Sequence, residues 1–105
     1  MFDEGTKVYR PFVTFNGDNG MWHMIQEGTA TSISDGGVQL IRQGSTHFSR
    51  ANDPGYHTDC PWTPDRMEAL HGVRAAYARW IGSQQCKLDE LDEQIQSVAF
   101  TEQVA

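Results

Sequence analysis

Apolar and polar positions follow two different rhythms along this chain. In the first half they lie in short runs that suit strands, and in the second they recur every three or four residues. Val8, Tyr9, Phe12, Val13 and Phe15 mark a first strand over residues 7–15, because β-branched and aromatic side chains suit a pleated, half-buried surface. Pro11 lacks an amide donor, which predicts an edge strand or a bend there. Asn16-Gly17-Asp18-Asn19-Gly20 reads as a turn, since Gly and Asn tolerate positive φ. A second strand begins at Met21 and runs toward Ser34, and Gly28 inside it predicts a bulge or sharp bend. Ser34-Asp35-Gly36-Gly37 turns into a third strand over residues 38–43, with Val38 and Leu40 on one face and Ile41 on the other. Gly44-Ser45 leads into a fourth, residues 46–50. Glycine-marked turns between short strands predict an antiparallel meander.

Residues 51–62 contain Asn52-Asp53-Pro54-Gly55, a turn signal. They are expected to form an irregular connector, with Tyr56 and Trp62 folding back on the strands. Thr63-Pro64-Asp65 then reads as a helix start. Thr63 would cap free amides, Pro64 suits the first helical position, and Asp65 suits the positive end of the helix dipole. Beyond it, Met67, Leu70, Tyr77, Ile81, Leu88, Leu91, Ile95 and Val98 keep an alternating spacing of three and four, with Arg74 and Gln84 filling the two gaps. That is a heptad pattern. A continuous helix of this length would span about 50 Å, so part of it must project or pair with another helix. Gly82-Ser83 is the expected place for a kink or break. The organisation predicted is therefore residues 1–62 as a β-meander with connector, 63–98 as helix, and 99–105 as a frayed tail.

Length and charge narrow the function classes. A chain of 105 residues is one domain, or a small domain with an appendage, and buries roughly 60–70% of its unfolded surface. A deep substrate cavity would compete with so modest a core. The formal net charge of -6 argues against a nonspecific nucleic-acid binder, which needs a basic face to release counterions. No apolar run reaches the roughly 18 residues that would span a bilayer. The Met1-Phe2-Asp3-Glu4 start carries charge and lacks the apolar core of a secretory leader. The expectation is a cytoplasmic protein with Cys60 and Cys86 reduced.

The chemistry-bearing residues are sparse. His57 and Cys60 are spaced to share a metal ion, with His71 or Cys86 as further ligands, but a structural zinc site draws on two compact ligand pairs. Cys60 with His71 or His57 would have the makings of a nucleophile pair, but no elbow or signature surrounds either cysteine. His23 and His47 fall in predicted strands and read as hydrogen-bonded histidines rather than a pH switch. No catalytic residue, metal or cofactor is assigned. Asp89, Glu90, Asp92 and Glu93 crowd one region of the helix, and no basic residue follows Lys87. They read as a solvated face, as a surface for a basic partner, or as a nucleic-acid mimic. Arg66, Arg74 and Arg79 precede them. Tyr77, Trp80 and Ile81, with Met67 and Leu70, are expected to pack on the strands. Failing that, they would form a stripe for a partner, where aromatic anchors are favoured.

Gly5-Thr6-Lys7-Val8-Tyr9, Gln26-Glu27-Gly28-Thr29-Ala30, Asp35-Gly36-Gly37-Val38 and His47-Phe48 give the first half a resemblance to small SH3-like barrels of the KOW or Tudor type. The resemblance implies binding of peptides, proteins or nucleic acid rather than catalysis. A barrel followed by a Thr-Pro-capped helix also looks like short accessory proteins of phages and mobile elements. The fold expected is α+β: a small antiparallel SH3-like β-barrel or curled sheet, then a long C-terminal helix or helical hairpin. The function expected is that of a non-enzymatic interaction module, an accessory or inhibitor protein covering a site on a larger intracellular protein. Tyr77, Trp80, Ile81, Leu88 and Leu91 would supply apolar contacts, and Asp89, Glu90, Asp92 and Glu93 the charge. A homodimer through the helix, as in a structural or assembly protein, is one alternative. The other is a nucleic-acid-associated module in which Lys7, Arg10, Arg42 and Arg50 converge with Tyr9 and Phe48 for stacking.

Overall fold

The computed structural model describes residues 1–15 and 20–104, with the backbone alone for 101–104. The first four residues of the expected turn, Asn16 to Asn19, lie outside them. Strands β1 (Lys7–Phe15), β2 (Met21–Asp35), β3 (Val38–Gln43) and β4 (His47–Arg50) precede one helix, α1 (Arg66–Val104). The strands form an antiparallel sheet in the order β1-β2-β3-β4. The fold is α+β, an open sheet followed by a single long helix. The sheet does not close into a barrel, and the helix does not fold into a hairpin.

The long strand β2 joins two halves of the sheet. It pairs with β1 from Met21↔Phe15 to Thr29↔Lys7, and with β3 at Thr29↔Arg42, Ala30↔Ile41, Ser34↔Gln39 and Asp35↔Val38. The register shifts between Ala30 and Ser34, not at Gly28 where a bulge was expected. Gly28 stays in register with Val8 and serves a different purpose. A Cβ there would lie 2.5 Å from Ile41 Cγ2 and 3.1 Å from the Trp62 ring. The missing side chain makes room for the indole. At the register shift Thr31 Oγ1 donates to the Leu40 carbonyl at 2.8 Å. The Gln39 amide nitrogen donates to the carbonyls of Thr31 and Phe2, both at 2.8 Å, and this straps the N-terminus to the sheet.

Two small cores lie on opposite faces of β1, because Val8 and Val13 are an odd number of residues apart. Val8, Ala30, Ile41 and Trp62 form one, with Phe2 and Ala51 packed against it. Val13, Val73 and Ala76 form the other, with Met21, Ile25 and Tyr77. The connector runs back along the outer edge of β1. The Tyr9 amide donates to the Thr63 carbonyl at 2.7 Å, the Thr63 amide returns a bond to Tyr9 at 2.9 Å, and the Val13 amide donates to Tyr56 at 3.0 Å. Pro11 lies midway between Tyr9 and Val13 and faces the same edge, so its missing amide removes nothing from the β1–β2 ladder.

Thr63 is therefore held by β1 rather than by the helix. Its Oγ1 accepts from the Asp65 amide at 3.1 Å and donates to Glu68 Oε2 at 2.8 Å. The cap is Asp65, whose Oδ1 accepts from the Met67 amide at 2.9 Å. This corrects the expected Thr63 cap and moves the first helical residue from Pro64 to Arg66. The helix passes Gly82-Ser83 without a break and reaches Val104 rather than ending at residue 98.

The face of α1 that docks on β1 and β2 differs from the one expected. Ala69, Val73 and Ala76 are buried, and Gly72, Tyr77 and Trp80 are half-buried beside them. Met67, Leu70 and Ile81 remain exposed. At 3.6 residues per turn, this second stripe lies about a third of a turn round the helix from the first. Small side chains explain the choice. A Cβ on Gly72 would stand only 2.9 Å from Cys60 Cβ and 3.0 Å from Pro11 Cγ, so the backbone of α1 approaches more closely than a leucine or methionine stripe would allow.

Candidate interaction surfaces

Among the described residues Trp80 is the last of α1 to be half-buried, and its ring lies beside Gly20. From Ile81 to Phe100 every residue is exposed. The helix beyond Trp80 is about 35 Å long at 1.5 Å per residue. The molecule accordingly measures 72 × 27 × 23 Å with a radius of gyration of 20.7 Å, against about 13 Å for a compact domain of this length. It is a small sheet head carrying a projecting arm.

The arm holds most of the residues expected to bind a partner, and its chemistry is asymmetric. Ile81, Leu88, Leu91, Ile95 and Val98 continue the heptad, with exposures from 53% at Leu91 to 65% at Ile95. Leu91, Ile95 and Val98, with Gln94 and Ala99, line a shallow depression on the helix surface. Asp89, Glu90, Asp92 and Glu93 flank that line, and Lys87 is the arm's one lysine or arginine. Gln85 donates to Asp89 at 3.1 Å along the helix. Most helical stability in proteins comes from packing an apolar face rather than from propensity. A helix that shows solvent so long an apolar stripe needs something to cover it.

Tyr77 and Trp80 do not belong to this surface, because both belong to the head. The Tyr77 hydroxyl donates to the Met21 carbonyl at 3.3 Å and lies 2.9 Å from His23 Nδ1, with the two rings edge to face. Arg79 pairs with Asp59 of the connector at 3.3 Å and bridges the base of the arm to the head. Such exposed pairs contribute little stability.

A second surface escaped the sequence. On the face of the sheet away from α1, Phe12 meets Trp22 edge to face at 6.3 Å and stacks on Tyr56 at 5.6 Å. His57 lies against Tyr56 and Phe15. Trp22, Met24 and Tyr56 stay substantially exposed. Trp62 folds back on the sheet as expected, into the core, where its Nε1 donates to Ser49 Oγ at 3.1 Å. Arg10 covers the indole, 4.5 Å from its centroid, and donates from Nε to Gln26 at 2.8 Å. Burial lowers the Arg10 pKa and Asp53 partly restores it. Alternation in β1 marks Phe12, but only the β1–β2 register and the return of Tyr56 bring the aromatic group together.

The basic residues of the head do not converge. Lys7, Thr29, Arg42 and Phe48 are successive cross-strand partners, so they share a face. Arg10 is an odd number of residues from Lys7 and lies on the opposite face with Trp62. Arg50 pairs with Asp35 at 3.4 Å. His57 and Cys60 also part ways. His57 is turned to the aromatic group, while Cys60 packs against Gly72. Burial pushes the Cys60 thiol pKa up, and the Glu68 carboxylate adds to that shift. Cys86 is exposed on the arm. Among the described residues no group of three or more His, Cys, Asp or Glu side chains could hold a metal ion, and no helix is long and apolar enough to cross a membrane.

Fold and surfaces together define a sheet-headed domain with a helical arm. No family model matches the chain, and neither the curated proteins nor the solved structures contain a significant match to it.

Proposed function

We propose that this protein is a non-enzymatic interaction module whose projecting arm is its binding surface. The observation that carries the reading is the run from Ile81 to Phe100, in which no residue is buried although the heptad of Ile81, Leu88, Leu91, Ile95 and Val98 continues through it. The apolar stripe supplies contact area, and the acidic flank of Asp89, Glu90, Asp92 and Glu93 biases the choice toward basic surfaces. The sheet head anchors the arm through Ala69, Val73, Ala76, Tyr77 and Trp80. An accessory or inhibitor protein of the phage or plasmid kind, acting in the cytoplasm on a larger protein, fits this build. Two free cysteines suit a reducing compartment.

The test is retention on the tagged chain from nuclease-treated lysate supplemented with an untagged second copy. Leu88→Asp plus Leu91→Asp serves as the control. Proteins held by the wild type and released by the variant support the reading. Equal retention by both, or none by either, overturns it.

A further inference from the structure

We infer that the arm is covered by a second copy of this chain, the two arms running parallel as a two-stranded coiled coil over Ile81–Val98. The inference rests on the interaction reading above and names the occupant of that surface. Three features of the arm lead to it.

The first is the sequence of layers. Ile81, Leu88 and Ile95 fall at a, and Gln84, Leu91 and Val98 at d. β-Branched side chains at a with leucine at d favour two parallel strands, and Ile81 and Ile95 at a with Leu91 at d follow that rule. All of these apolar side chains are exposed, and they lie in one helix without a break.

The second is charge. Lys87 occupies g, and Asp92, five residues on, occupies the e position of the following heptad. In a parallel pair, g of one helix faces that e on the other, so Lys87 meets the partner's Asp92 on both sides of the seam. Neither Lys87 nor Asp92 has an ion-pair partner among the described residues of the single chain. Of the two antiparallel registers, the one with Leu88 on the partner's Val98 and Leu91 on the partner's Ile95 sets Asp92 against the partner's Asp92, and the one with Ile81 on the partner's Val98 and Leu88 on the partner's Leu91 buries Gln84 against the partner's Ile95. The arm's single cation therefore sits where it serves a parallel pair.

The third is Gln84, the one polar residue in the seam of the arm. In the unshifted parallel register it meets its own counterpart and the two amides can hydrogen-bond. Sliding by one heptad would bury it against Leu91 with no partner, and a single polar seam residue fixes register in this way.

The heads dock on the Ala69–Val73–Ala76 stripe, about a third of a turn from the seam, and the two-fold axis sends them to opposite sides. Tyr77, the seam position before Ile81, is taken up by the head, so the pairing begins at Ile81. Asp89, Glu90 and Glu93 fall at b, c and f on the outside of the pair. The dimer would carry two copies of this acidic face and two of the aromatic face around Phe12, Trp22 and Tyr56.

Sedimentation equilibrium of the full chain across concentrations tests the inference, with tryptophan emission reporting that the head stays folded. The wild type should dimerise reversibly, and Leu88→Asp plus Leu91→Asp should be monomeric with unchanged emission. Lys87→Glu should weaken the dimer about tenfold, since two pairs turn from attraction to repulsion. Lys87→Glu with Asp92→Lys should restore it. A wild-type monomer at 100-fold the concentration used for binding would overturn self-pairing, while a lysate protein released by the leucine variant would leave the interaction reading standing. A dimer indifferent to Lys87→Glu would overturn the parallel arrangement, and a trimer or tetramer would overturn the two-stranded one.

Discussion

Gly28→Ala probes how the head holds Trp62. Gly28 has no positive φ, so alanine meets no backbone strain and the effect is one of space. The added Cβ would lie 2.5 Å from Ile41 Cγ2 and 3.1 and 3.2 Å from two Trp62 ring carbons. Carbon atoms rest about 3.5–4.0 Å apart, so Ile41 or the indole must yield by about 1 Å. Neither has room. Ile41 is fully buried, Trp62 is 3% exposed, and the indole is tied to Ser49. Overpacking of this kind costs about 1–3 kcal/mol, and the reduced freedom of the unfolded alanine chain offsets about 0.4–1 kcal/mol of it. Mid-range values leave a net loss of about 1.3 kcal/mol, a fall of about 5–10 °C in Tm for a domain of this size. Urea unfolding followed by tryptophan emission reads it. Ile41→Ala removes the nearest contact, so Gly28→Ala should cost at least about 1 kcal/mol less in that background. Unfolding midpoints equal to wild type, or the same cost in both backgrounds, would refute the view that residue 28 is glycine to make room.

Three further expectations follow from the helix and its surroundings. Nothing lies within 4 Å of a Cβ on Gly82, so Gly82→Ala should stabilise by about 0.8–1 kcal/mol through helix propensity. Gly72→Ala, with the same propensity gain, should not, because Cys60 and Pro11 block it. Paired thermal melts decide between them. Asp65→Ala should cost about 1 kcal/mol as a lost cap and Asp65→Asn much less, which urea midpoints would show; equal losses would count against capping. The raised Cys60 pKa means that the folded state holds this proton more tightly than the unfolded one. Its contribution is present below the ordinary thiol pKa and is lost as pH rises through the folded value. Stability should therefore fall with alkaline pH less steeply in Cys60→Ser, and iodoacetamide should modify Cys86 before Cys60, as read by intact mass.

The strands were legible because their signals are local. Val8, Val13 and Ile41 fall in runs that only a pleated surface accommodates, and glycines at the turns fix where the chain reverses, with φ of +60° and +81° at Gly36 and Gly37. The helix was equally plain from its repeat of three and four. Its capping was not, because Thr63-Pro64-Asp65 offers two residues able to cap. The bridge from Thr63 to Tyr9 assigns that role to Asp65, and nothing near residue 63 in the chain announces a partner fifty-four positions earlier.

The sequence by itself determined an antiparallel meander, a long amphipathic helix and an acidic arm, since propensity, periodicity and charge are properties of neighbouring residues. Only the tertiary structure decided which stripe of that helix docks. The heptad is written in long side chains and draws the eye to Met67, Leu70 and Ile81, yet the sheet receives Ala69, Gly72, Val73 and Ala76. Docking is limited by volume and close approach as well as by hydrophobicity, and volume matters only once both surfaces are in place. The same three-dimensional choice leaves Leu88, Leu91 and Ile95 uncovered, and so turns a helix into an arm.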